Sequence, residues 1–153
     1  MKLQLVGYRC ANCAAEFKAP EIGFYSYGEF LLRSSAGEVS YLDALRDETY
    51  MEVAELLKES AKVINKTPNA LADMVRKTYG AIACDPDEMG NFFEIGKDPG
   101  CRVCGCQEMA YWEVTDPPEF VDENVPPVTH VGWNMLSHAD KKQRIAQVLL
   151  STI

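Results

Sequence analysis

Tyr8-Arg9-Cys10-Ala11-Asn12-Cys13-Ala14-Ala15-Glu16-Phe17, answered far downstream by Cys101-Arg102-Val103-Cys104-Gly105, is the stretch on which the fold of this chain turns. Each segment holds a Cys-x-x-Cys turn, which brings two sulfurs to one ion from a single tight loop. Tetrahedral zinc takes four soft, deprotonated ligands at about 2.3 Å. Cys10, Cys13, Cys101 and Cys104 therefore make a complete donor set for one structural Zn2+. Aromatic residues on both sides of the first turn, and Gly105 after the second where positive φ is easily adopted, suit loops held at the ends of strands.

The two turns resemble the knuckles of the zinc-ribbon group, in which two such loops at the ends of β-hairpins share a metal. The resemblance covers only the residues around the two pairs; it implies a metal site and a local fold and says little about activity. Two departures stand out. Ala14 lies where the group often has glycine, which places strain on the first knuckle. Between Cys13 and Cys101 lie 87 residues, against about 15–20 in a compact ribbon. Closing a flexible loop of that length costs about 4 kcal/mol, whereas structural zinc in small fingers supplies about 10–16 kcal/mol. A long insertion is thus compatible with the site. The expected fold class is α+β: a discontinuous zinc ribbon with an inserted β-hairpin and helical pair, and a C-terminal helix. As a single domain over 1–153, it places the ribbon halves at 1–20 and 96–115, the insertion at 21–95 and a C-terminal extension at 116–153. Iron in a rubredoxin-like site uses the same ligands and would mean electron transfer.

Outward from the knuckles, Leu3, Leu5 and Tyr8 read as a strand entering the first pair. Ser35-Ala36-Gly37 supplies a turn between Phe30-Leu31-Leu32-Arg33 and Glu38-Val39-Ser40-Tyr41, predicting a hairpin. Tyr50, Val53, Ala54, Leu57, Ala61 and Ile64 share one face of a 3.6-residue period, with Asp47 as N-cap. Thr67-Pro68 opens a second helix that Gly80 is expected to end. Ala81 to Cys84 reads as a short buried strand, Asp85 to Gly90 as a turn, Asn91 to Ile95 as extended chain. Glu108 to Val114 alternates as a strand, with Ala110, Trp112 and Val114 on one face. Residues 116–128, with four prolines and four acids, predict a surface excursion without regular structure. Ser137 and Asp140 predict a cap for a C-terminal helix that turns Ile145, Val148 and Leu149 inward.

Composition is that of an ordinary globular protein, 47% hydrophobic and 25% charged. No apolar run approaches the roughly 20 residues of a membrane span, and the apolar stretch at Met1 to Gly7 is too short for a signal peptide. The expected location is the cytoplasm, where the six cysteines favour thiolate and metal over disulfides; the Asn65-Lys66-Thr67 sequon carries no weight there. The net charge of −8 is concentrated: residues 84–123 hold eleven acids against Lys97 and Arg102. Such a field attracts basic partners and repels phosphate backbones.

No catalytic residue is assigned. A four-cysteine shell leaves no position for water or substrate. A thiol enzyme needs an imidazole near a reactive cysteine; His130 reads as a half-buried strand residue and His138 as a residue of a helix's first turn. Cys84 reads as a small buried residue, Cys106 as a thiol near the site, and Asp85 with Asp87 as a solvated turn ahead of a cation pair. The expected function is a non-enzymatic, zinc-stabilised module that binds a protein with a basic surface, such as an immunity-type inhibitor or adaptor. The alternatives are a nucleic-acid-associated zinc-ribbon regulator, suggested by the helical pair and disfavoured by charge, and a thiol or iron redox enzyme.

Overall fold

The computed structural model describes residues 1–23, 26–60, 63 and 65–152. Chain order is β1 (Lys2–Cys10), β2 (Glu16–Glu21), β3 (Glu29–Arg33), β4 (Val39–Asp43), α1 (Glu48–Lys58), α2 (Pro68–Ala83), β5 (Glu94–Ile95), β6 (Met109–Val114), β7 (Phe120–Asp122), α3 (Val131–Asn134) and α4 (His138–Thr152). These elements make two antiparallel sheets and a set of helices, a mixed α and β architecture. No described helix is long and apolar enough to cross a membrane.

The first sheet is built on β1. On one side it pairs with β2, in a register that sets Tyr8 opposite Phe17; on the other it pairs first with β7 through Leu3 and Val121 and then with β6 through Tyr8 and Trp112. Val6, Tyr8 and Ala19 pack together on one face, joined by Phe17 and Met109. The second sheet has order β4-β3-β5. Its hairpin is the one expected from the turn at residues 35–37, and Gly37 there takes φ 86°.

Strand alternation gives β3 two roles. Leu32 faces the main core with Leu42, Val53, Leu57, Tyr79, Ile82, Trp133, Ile145 and Leu149, so α1, α2 and α4 all cover one face of the second sheet. Leu31 points the other way and meets Leu3 of β1 and Val125. Next along the strand, the buried Arg33 guanidinium donates to the Glu21 carboxylate (2.7 Å) and to the carbonyls of Pro20 (2.6 Å) and Lys97 (3.1 Å). The two sheets are thereby tied through β2 and β3. A buried ion pair of this kind needs these extra bonds to offset desolvation.

The helix caps agree with the sequence: Asp47 accepts from the Thr49 amide, Thr67 from that of Ala70, and Ser137 from that of Asp140. Val53 and Leu57 are buried on α1; Ala61 and Ile64, expected to extend that face, lie outside the described residues. Three expectations are corrected: the stop at Gly80, the strand at Ala81 to Cys84, and the absence of regular structure in residues 116–128. Gly80 does not end α2, and Ala81 to Ala83 continue the helix instead of forming a strand, with Cys84 as C-cap. The glycine is there for proximity: a Cβ at position 80 would stand 1.6 Å from the Phe93 carbonyl oxygen. Of the extended segment 91–95, only Glu94 and Ile95 pair, with Arg33 and Leu32. Residues 116–128 do contain a regular element, because β7 completes the β1 ladder, and Tyr41 bridges Pro127.

Candidate metal centre

β1 and β2 deliver the first knuckle and the approach to β6 delivers the second, on the same plan. The Cys10 amide donates to the Ala15 carbonyl (2.9 Å) and the Cys101 amide to that of Cys106 (2.8 Å). The Ala14 amide closes onto the Cys10 carbonyl (3.1 Å) as the Gly105 amide closes onto that of Cys101 (2.9 Å). Ala14 and Gly105 both turn left-handed, with φ of 62° and 77°. The strain expected of Ala14 is therefore present, at the position where the second knuckle has glycine. The correspondence also places Cys106 opposite Ala15, one residue beyond the knuckle's left-handed turn. Its thiol accepts from the Glu108 amide (3.4 Å).

Cys10, Cys13, Cys101 and Cys104 come together, with all four sulfurs within 4.8 Å of one another. Cys10 Sγ lies 3.5 Å from Cys104 Sγ and Cys13 Sγ 3.6 Å from Cys101 Sγ. A disulfide requires about 2.05 Å, so these are free thiols. A tetrahedron with metal–sulfur bonds of about 2.3 Å has edges of about 3.8 Å; these two separations lie near that value, and no pair of the four exceeds 4.8 Å. Comparison with protein-family models, curated proteins and solved structures finds no match to this chain.

The electrostatics of the four sulfurs also suit a cation. Amide hydrogens of Asn12 and Val103 point at Cys10 Sγ (3.3 Å) and Cys101 Sγ (3.4 Å), and the Asn12 side chain at Cys104 Sγ (3.6 Å). The Cys106 amide and the Asn12 side chain bring the Cys104 thiol down to about 6, and the amides of Cys104 and Val103 lower Cys101. At Cys13 the Ala15 amide acts the same way, but burial and the hydrogen bonds to Cys101 and Cys104 outweigh it and push the thiol up to about 12. Cys101 and Cys104 are thus shifted towards the thiolate, and Cys10 and Cys13 away from it; a cation bound among them would favour the thiolate at all four.

The remaining sequence candidates have structural work. His130 is not in a strand: at the start of α3, its Nδ1 donates to the Ala83 carbonyl (2.7 Å) and its Nε2 lies 2.9 Å from the Asp47 carboxylate, which also accepts from Tyr79 Oη (2.9 Å). This knot, which joins α1, α2 and α3, has no local signature beyond the cap at Asp47. His138 begins α4, as expected. Burial pushes the Cys84 thiol up, away from the nucleophilic thiolate. Asp85 and Asp87 do not converge on a shared point: Asp85 accepts from Thr129 Oγ1 (2.6 Å) and the amides of Val131 and Gly132 (2.9 Å each), while Asp87 accepts from the amides of Met89 and Asn91. The Asn12 amide, the Arg33 tie and the cluster at Tyr8, whose hydroxyl donates to Glu21 (2.6 Å), were missed in the sequence. Only Asn12, in the middle of a knuckle, carries a local hint.

Proposed function

We propose that this chain is a non-enzymatic protein-binding module, stabilised by one structural zinc, that presents an acidic surface to a protein with a basic surface in the manner of an immunity-type inhibitor or adaptor. Cys10, Cys13, Cys101 and Cys104 hold the ion as the centre of a discontinuous zinc ribbon, and the metal's contribution is a cross-link between distant parts of the chain. A shell of four thiolates has no position for water or substrate.

The observation that carries the partner reading is the exposure of carboxylates in residues 84–123. Of the eleven acids there, Asp87 is buried and Asp85 half-buried, both engaged in holding loops; the other nine are exposed. Glu113, Asp116, Glu119, Asp122 and Glu123 follow one another along the β6 and β7 side of β1. Lys18 reaches Glu119 (2.8 Å) and the N-terminal amine reaches Asp122 (3.0 Å), but exposed pairs hold their partners weakly. A negative field of this kind speeds encounter with a basic surface and disfavours a phosphate backbone. The nucleic-acid reading has less support, since on α2 Arg76 pairs with Asp73. The four sulfurs equally accommodate iron, which an absorption spectrum separates from colourless zinc.

Metal analysis of the purified protein should give one zinc per chain. Cys10→Ser and Cys104→Ser should each lose it and destabilise the whole fold; one zinc retained by either variant would remove the site. Capture of a basic protein from the native host should be abolished by combined Glu119→Lys, Asp122→Lys and Glu123→Lys. Recovery of nucleic acid alone, or capture indifferent to the reversal, would count decisively against the reading.

A further inference from the structure

Gly7 is a glycine that the fold itself does not call for. It lies inside β1, which has a neighbour on both sides in the first sheet, where glycine weakens a strand and gives no side chain to pack. A strand keeps one for a left-handed turn, for a bulge, or for a close approach by a ligand or another segment. Gly7 is not among the residues with positive φ, and the register shift on the β6 side falls later, between Arg9 and Cys10. A Cβ at position 7 would meet nothing nearer than the Glu113 carbonyl oxygen at 3.7 Å, an ordinary contact unlike the collision at Gly80. The missing side chain leaves only space, on the open face of the sheet.

Alternation defines that face. Val6 and Tyr8 turn to the Ala19 cluster, so Gly7 and Arg9 turn the other way. Directly opposite residues share a face, which sets Lys18 and Glu113 on either side of Gly7, and Glu16 and Tyr111 on either side of Arg9. These five side chains are exposed, and with Gly7 they line a hollow of about 700 Å³. Its charges are unevenly satisfied. The Arg9 guanidinium donates twice to Glu16 (2.6 and 3.2 Å), and the Lys18 ammonium to both oxygens of Glu119 (2.8 and 3.0 Å). Arg9 also feels the Glu113 charge, but its bonds go to Glu16. Glu113 accepts from Tyr111 Oη, and the two cations of the hollow pair elsewhere. A carboxylate has about four lone-pair sites, so Glu113 retains capacity for a cation brought from outside.

We propose that the hollow over Gly7 seats one lysine or arginine side chain of the basic partner. The aliphatic stem crosses the bare Gly7 backbone, and the cationic head bonds to Glu113 beside the Tyr111 ring. An anionic group suits the hollow less, because Arg9 and Lys18 are already engaged and the chain carries a net charge of −8. This rests on the basic-partner reading and gives that partner an anchoring residue.

Two-dimensional amide NMR of the zinc-loaded protein, titrated with acetyl-arginine amide, tests it against acetyl-citrulline amide, which has nearly the same shape without the charge. The arginine compound should shift the amides of Gly7, Tyr111 and Glu113 saturably, and bind about fivefold more tightly than the citrulline compound. Gly7→Val, which fills the floor with a residue that strands favour, should keep the fold and lose the saturable shifts. Glu113→Gln should weaken binding about fivefold, the scale of one exposed ion pair, and decides the matter alone if Gly7→Val unfolds. Arginine shifts centred on Glu119, Asp122 and Glu123, and unchanged in both variants, would overturn the hollow and leave the basic-partner reading standing. Equal response to the two compounds would overturn it as well, as would no response to arginine.

Discussion

Replacing Ala14 with glycine should stabilise this protein, and replacing Gly105 with alanine should destabilise it by a similar amount. The two residues occupy the same place in the two knuckles, at φ 62° and 77°. A side chain with a Cβ pays about 1–2 kcal/mol for the left-handed conformation, and glycine forfeits about 0.4–1 kcal/mol through the freer unfolded chain. The balance is about 0.5–1 kcal/mol in favour of glycine at each site. Contacts do not disturb the comparison: Ala14 is exposed, and a Cβ at Gly105 would meet nothing within 4 Å. For a chain of this size such a change moves Tm by about 1–4 °C. Thermal unfolding of the zinc-loaded proteins, at fixed metal concentration because bound metal itself shifts Tm, should show displacements of opposite sign. Displacement in the same direction, or a lower Tm for Ala14→Gly, would refute the equivalence of the knuckles and the assignment of strain to Ala14.

Gly80→Ala should cost on the order of 3 kcal/mol despite alanine's better helix propensity, because the new methyl group collides with the Phe93 backbone; a urea titration reads it, and a stabilised variant would contradict the close approach of α2 and β5. Burial raises the Asp85 carboxyl, but the hydrogen bonds from Thr129 and from the amides of Gly132 and Val131 outweigh it and hold the group below its ordinary 3.8. A depressed folded-state pKa gives stability that is present above the unfolded value and lost as pH falls through the folded one. Asp85→Asn should therefore be less stable than the wild type at neutral pH, and the gap should close below about pH 4. Comparing the two proteins at each pH cancels the metal site's own acid sensitivity, and a gap constant down to about pH 3 would show that the Asp85 charge contributes nothing.

What was legible in the sequence is what is written locally. Paired cysteines, the turn at residues 35–37, the caps at Asp47, Thr67 and Ser137 and the spacing of Val53 and Leu57 each act within a few residues, and the structure has them where they were expected. The errors arise where a distant partner decides. Gly80 has the composition of a helix stop, yet its small size serves an approach by residue 93. Residues 120–122 lie among prolines and acids, yet pair because β1 offers Lys2 to Gln4 as a template. The role of His130 depends on Asp47 and Ala83, 83 and 47 residues away. Arg33 would pass for a solvated strand charge without Glu21 and Lys97 to receive it.

The pairing of β1 with β6 has a consequence for how the chain is made. Tyr8 waits for Trp112, and Cys10 for Cys104. At about 5–20 residues per second, synthesis of the intervening hundred or so residues takes about 5–20 s. Throughout that interval the β7 and β6 side of β1 is open, and Cys10 and Cys13 are two thiols without their counterparts. An ion captured early by that first knuckle would travel with the nascent chain half-coordinated, while the hairpin of β3 and β4 and the helices α1 and α2, whose contacts are closer in sequence, have time to assemble first. Release of the second knuckle from the ribosome then brings together all four cysteines and the last side of the first sheet in one event.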